Sequence, residues 1–169
     1  KNIYKLGKML GTSNEIQNPG LRTLPPGVER YFVKGGGLSV IEVFPDDKIE
    51  IINDEGKQIC EIIVFNNKGK PDLSILNLKE NANAEFSKKA IAIDEKITKI
   101  FKKKNFDLNK AKSSIIFDED CLMGEKITLS AKDKCFVLIA APGKPLNVHE
   151  QNPPTDLTIF LNKAKFSET

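Results

Sequence analysis

Between residues 35 and 66 the chain reads GGGLSVIEVFPDDKIEIINDEGKQICEIIVFN. Three apolar, β-branched segments, 38–44, 48–53 and 58–65, are cut by two turn signals, Pro45-Asp46-Asp47 and Asp54-Glu55-Gly56. Residues 48–53 alternate Ile49 and Ile51 against Lys48 and Glu50, the pattern of a strand with one buried face. Segments this short and this rich in valine and isoleucine cannot form helices of ordinary length. The stretch predicts a three-stranded antiparallel meander, with a tight turn at 45–47 and a hairpin connection at 54–56.

The remaining elements extend that pattern. Residues 28–34, 113–117, 125–131, 135–141 and 155–162 each read as a short strand, and CFVLIAA at 135–141 is apolar enough to be central in its sheet. Between 85 and 104 the period changes. Phe86, Ala90, Ile93, Ile97, Ile100 and Phe101 recur at helical spacing, with lysines elsewhere, which predicts one amphipathic helix over 85–104. Its basic end at 102–104 complements the helix dipole, and 74–83 offers a short extra helical turn. The predicted fold class is mainly β, an antiparallel β-barrel or sandwich of about seven to eight short strands with one inserted α-helix. Residues 1–27, dense in glycine and proline, read as an irregular arm, 28–164 as a single β-rich domain, and 165–169 as a polar tail.

Charge and cysteine usage narrow the function classes. Of 26 basic residues only Arg22 and Arg30 are arginines, and 23 acids are interleaved with them. Bidentate recognition of phosphates and bases favours arginine, so a lysine-rich solvated surface fits better than a nucleic-acid interface. Cys60, Cys121 and Cys135 are odd in number and widely spaced, with no CxxC, which suits a reducing, cytoplasmic setting rather than a disulfide framework or zinc ribbon. No apolar run approaches the roughly 20 residues a membrane helix needs. The chain opens at Lys1 without methionine and closes on KAKFSET, as a processed protein or a domain cut from a longer polypeptide would.

Chemistry-bearing residues are few. Gly35-Gly36-Gly37 leads into a strand, not a helix N-terminus, and so reads as a turn rather than a phosphate loop. His149, beside Glu150 in a proline-rich loop, is the only histidine and hence the only imidazole base available. The acidic run Asp118-Glu119-Asp120 lacks the spacing of a calcium loop. Its charges would raise the thiol pKa of neighbouring Cys121, the wrong direction for a nucleophile. If the fold encloses a pocket, the candidate ligand-binding residues are Gln58, Asp118, Cys121, His149 and Glu150. No metal site and no cofactor is evident in the chain itself.

The run PGVERYFVKGGGLSVIEVFPDDKIEIINDEGKQICEIIVFN resembles the opening of the urea-carboxylase-associated family of unknown function, with Gly56, Gln58, Phe65 and Asn66 at matching places. The later run AAPGKPLNVHEQNPPTDLTIFLNKA is similar to the end of the version of that domain fused to aminomethyltransferases related to the glycine cleavage T protein. The resemblance implies a β-barrel-like fold. It also implies an accessory small-molecule-binding or interaction domain of an aminomethyltransferase-like protein in one-carbon or amino-acid metabolism. Folate would then belong to the fused or partner transferase, and no folate-binding residue carries over to this chain. The family's stand-alone members carry a His and Cys set suited to metal in mid-chain, where this chain has a lysine-rich helical insert without histidine. Two other readings stay open: an independent small-molecule enzyme or binding protein with a barrel pocket, and a protein-interaction module using the helix or the N-terminal arm.

Overall fold

The structure, a computed structural model, describes residues 25–142 and 154–164. Eight strands run in chain order: β1 (Val28–Val33), β2 (Leu38–Val43), β3 (Lys48–Asn53), β4 (Cys60–Asn66), β5 (Ser114–Ile116), β6 (Lys126–Ser130), β7 (Cys135–Ala140) and β8 (Leu157–Asn162). They form two four-stranded antiparallel sheets, ordered β1-β8-β3-β6 and β2-β7-β4-β5. Each early strand pairs with a late one, the strand order of a jelly-roll sandwich. The two sheets face each other without closing into a barrel.

This pairing corrects the expected meander. β2, β3 and β4 do not pair with one another, because successive strands cross between the sheets. The connection at 54–56 is therefore a corner from one sheet to the other, not a hairpin, and the chain at 133–134 likewise crosses between the sheets. Alternation in β3 reports one buried face, but it cannot say which strand lies alongside.

The space between the sheets is filled by aliphatic side chains, among them Val33, Ile41, Ile49, Ile51, Ile62 and Val137. The sheet β2-β7-β4-β5 is buried on its other face as well, where Leu38, Ile63, Phe65 and Leu138 meet a helical layer. Two-sided burial explains why β4 and β7 read as unbroken apolar runs rather than alternating ones. The sheet β1-β8-β3-β6 turns its outer face to solvent, with Lys48, Lys126, Thr128 and Ser130 exposed there.

The single helix expected over 85–104 is two helices, α1 (Glu85–Ala92) and α2 (Glu95–Lys104). Asp94 breaks the run. Its side chain accepts from the amides of Lys96 and Ile97, so it caps α2, and Ile93 at the break is 86% exposed. The extra turn expected within 74–83 is a 3-10 turn at Leu73–Leu76, capped by Asp72. The lysines at 102–104 fall in the last turn of α2, as the dipole argument requires.

Glu61 joins the layers. It sits in the otherwise apolar β4, is 3% exposed, and accepts from the backbone amide and hydroxyl of Ser87 in the first turn of α1. Ala84, the N-cap residue of α1, has no side-chain acceptor to offer, so a carboxylate from the sheet does that work.

Candidate functional site

Two of the predicted site residues, Gln58 and Cys121, meet at the corner between β3 and β4. The corner turns on Gly56 and Lys57, both with positive φ. A Cβ on Gly56 would lie 2.7 Å from the Cys121 carbonyl oxygen and 2.7 Å from the Met123 amide nitrogen. Only glycine lets the corner lie directly on the turn at 118–125. Backbone bonds then stitch the two segments: Lys57 N–H donates to Cys121 O (2.8 Å), Gly124 N–H to Asn53 O (2.8 Å) and Asn53 N–H to Glu125 O (2.9 Å).

Asn53 is the hub. Fully buried, it donates through Nδ2 to Gln58 O at 2.7 Å and to Cys121 Sγ at 3.3 Å, and its Oδ1 has no protein partner. As the last residue of a strand it carried no signal in the sequence beyond its type. Nearby, the Thr158 hydroxyl donates to the Asp54 carboxylate at 2.7 and 2.9 Å.

Gln58 acts as a clamp. Its Nε2 donates to Ile59 O (2.7 Å) and Pro142 O (2.8 Å), and its Oε1 accepts from Thr155 N–H (2.9 Å). Pro142 and Thr155 flank residues 143–153, so one side-chain amide holds both ends of that stretch together. The glycine triplet serves the same junction. Gly35 N–H donates to Asp156 Oδ1 (2.8 Å) and Gly36 N–H to Ala141 O (2.8 Å), while a Cβ on Gly35 would fall 2.3 Å from Pro154 O. The triplet is a turn, as expected, and its lack of side chains admits a neighbouring backbone. His149 and Glu150 lie outside the described residues.

Cys121 is 5% exposed. Burial, and behind it the Glu125 carboxylate, push its thiol up to about 11, so it is a protonated thiol at neutral pH rather than a thiolate nucleophile. Glu125 is held below its usual range because it accepts from Leu122 N–H and the Cys121 thiol. Asp118 anchors the same turn: its Oδ1 accepts from Asp120 N–H (2.9 Å) and its carbonyl from Cys121 N–H (3.2 Å). Asp118, Cys121 and Glu125, with Phe117 and Ile127, line an open depression of about 470 Å³ beside β5 and β6. Among the described residues no three His, Cys, Asp or Glu side chains cluster as metal ligands would. No helix among them is long and apolar enough to cross a membrane.

No family model matches the chain. The trimethylamine-oxide aldolase of Ruegeria pomeroyi is 28% identical to it over 153 residues, which cover 88% of this chain and 19% of that enzyme. The chain thus spans about a fifth of the length of the curated relative it matches. The likeness is to an enzyme named as an aldolase. Association with a urea carboxylase gains no support from it.

Proposed function

We propose that this chain is an accessory binding or interaction domain of a larger amine-metabolising enzyme. The observation that carries the reading is the lopsided match: nearly the whole chain is similar to one fifth of a trimethylamine-oxide aldolase. The geometry of the corner supports it. Gln58 spends its donors on the chain's own carbonyls, and the Cys121 thiol is protonated at neutral pH. The partner we propose is an aminomethyltransferase-like domain, fused or separate, on the strength of the sequence likeness at 28–66 and 135–164. Folate would enter with that domain alone.

A second reading has one observation in its favour. Asp118 and Cys121 both line the depression beside β5 and β6, which gives a small polar metabolite a place to bind.

The test is an assay for aldehyde release from trimethylamine oxide by the isolated 169-residue chain, with calorimetric titration of trimethylamine oxide alongside. The accessory reading expects no turnover. Aldehyde production by the chain alone would overturn it and make this domain the catalytic unit. Heat of binding without turnover, lost in Cys121→Ala, would select the depression as a metabolite site.

A further inference from the structure

Gly69 brings together two lysine-bearing segments that are far apart in sequence. A Cβ there would lie 2.2 Å from Asn105 O, and its φ is +86°, so only glycine lets the loop after β4 rest on the end of α2. Gly69 O accepts from Asp107 N–H at 2.9 Å and locks the contact. Lys68 and Lys70 flank the glycine. Lys102, Lys103 and Lys104 end α2 immediately before Asn105, and Lys110 follows. From 67 to 112 the chain holds twelve lysines, six acids and no arginine. Five of the acids, Asp72, Glu85, Asp94, Glu95 and Asp107, stand at N-caps, in first helical turns or in a local turn. Asp72, Asp94 and Asp107 accept from backbone amides, and Glu85 and Glu95 face the positive ends of the helix dipoles.

The contrast with the open sheet is direct. There Lys126 pairs with Glu50, and Lys163 lies between Glu29 and Asp47. Lys68, Lys70, Lys102, Lys103 and Lys110 form no ion pair among the described residues. Crowding like charges opposes folding unless something anionic meets them.

Apolar surface adjoins this charge. Ile91, Phe101, Phe106, Leu108 and Lys102 line an open depression of about 480 Å³ between the two helices and the chain that follows them. Both phenylalanine rings are at least nine-tenths buried, packed on Phe65 and each other, so they offer no platform for stacking bases. Without arginine the patch also lacks bidentate phosphate contacts.

We infer that this corner docks an acidic protein segment with an apolar anchor: its carboxylates meet the lysines around Gly69 and its anchor enters the depression at Phe101 and Phe106. The inference goes beyond the accessory-domain reading, because the surface stands whatever larger protein contains it.

The test is fluorescence anisotropy of the full chain with a short labelled peptide of glutamates around one phenylalanine. Parallel arms use the same peptide with alanine for phenylalanine, a single-stranded oligonucleotide, and vesicles containing anionic lipid. The phenylalanine peptide should bind best, and binding should weaken steeply between low and physiological salt. Lys68→Gln/Lys70→Gln and Lys102→Gln/Lys103→Gln should each weaken it by about fivefold, because both segments face one ligand. Circular dichroism of these surface variants checks that the fold is kept. Failure of the peptide to bind at low salt overturns the inference. So does binding that ignores both double variants, or a preference for the oligonucleotide or the vesicles. None of these outcomes depends on aldehyde release, so this inference and the accessory-domain reading can fail separately.

Discussion

Gly56 and Gly69 use one device for opposite ends. Each has positive φ and each lets one backbone touch another, Gly56 on the turn at 121–123 and Gly69 on Asn105. At Gly56 nearly everything polar that the approach delivers is consumed within the chain: Lys57 N–H, Asn53 Nδ2 and both ends of the Gln58 amide have internal partners. At Gly69 the approach delivers lysines that form no ion pair among the described residues. A corner whose polar groups are internally satisfied is architecture, and removing one of them leaves its buried partner stranded. A corner that gathers unpaired cations has its capacity left for another molecule.

The most damaging way to probe the comparison is at the glycines themselves. Gly56→Ala and Gly69→Ala each force a side chain into backbone at positive φ, and each should cost about 4 kcal/mol in urea unfolding. If either variant stays within about 1 kcal/mol of the parent, the close approach at that corner is not what holds it.

Alkaline pH should come next. Burial holds Cys60, Cys135 and Tyr31 well above their usual values, Cys135 at about 12, and Cys121 lies at about 11. A group whose folded pKa is raised contributes stability that is complete below its unfolded pKa and is lost as pH rises toward the folded value. For the thiols that window opens near 9. Each of the three buried thiols costs up to about 1.4 kcal/mol per pH unit above that point, so unfolding free energy should drop by about 4 kcal/mol from pH 8 to pH 10. Glu125 works in the opposite sense, since its depressed pKa adds stability that is lost as pH falls through the carboxylate range. A flat urea midpoint from pH 8 to pH 10 would show that these thiols are not desolvated in solution.

Gln58→Ala removes three hydrogen bonds and strands Pro142 O and Thr155 N–H, for a loss of about 2 kcal/mol. Gln58→Glu should lose a similar amount, because the carboxylate can accept from Thr155 N–H but cannot donate to Pro142 O. Full stability in Gln58→Glu would mean that the bond to Pro142 does not matter, and the clamp reading would fail.

The elements were legible in the sequence and their partners were not. All eight strands lie within about two residues of the segments marked by alternation or apolar runs. The pairing of β1 with β8, or the bond from Gly35 to Asp156, joins residues more than a hundred positions apart, and alternation carries no information about that. The split between α1 and α2 was marked by Asp94-Glu95, a cap signal lying inside a periodic pattern that overrode it. At the corner, Gln58 and Cys121 stood out by type, but Asn53 between them was read only as the end of a strand. Glu61 left the clearest unused clue, since an acid inside an otherwise apolar, buried strand requires a buried donor.

The smallest expected effect discriminates best between the two corners. Lys102→Gln/Lys103→Gln removes charges that favour the C-terminal end of α2, which costs a few tenths of a kcal/mol, and at the same time relieves repulsion from Lys68 and Lys70. The two effects oppose each other, so thermal midpoints should barely move. Lys68→Gln/Lys70→Gln lies off the helix and brings only the relief. It should raise stability by roughly 0.5 kcal/mol at low ionic strength, with the gain shrinking as salt screens the cluster. A gain that vanishes with salt is the signature of cations held close together without partners. A loss above about 1 kcal/mol in this variant would mean that Lys68 or Lys70 is already engaged within the fold, and the Gly69 corner would then be of the same kind as the one at Gly56.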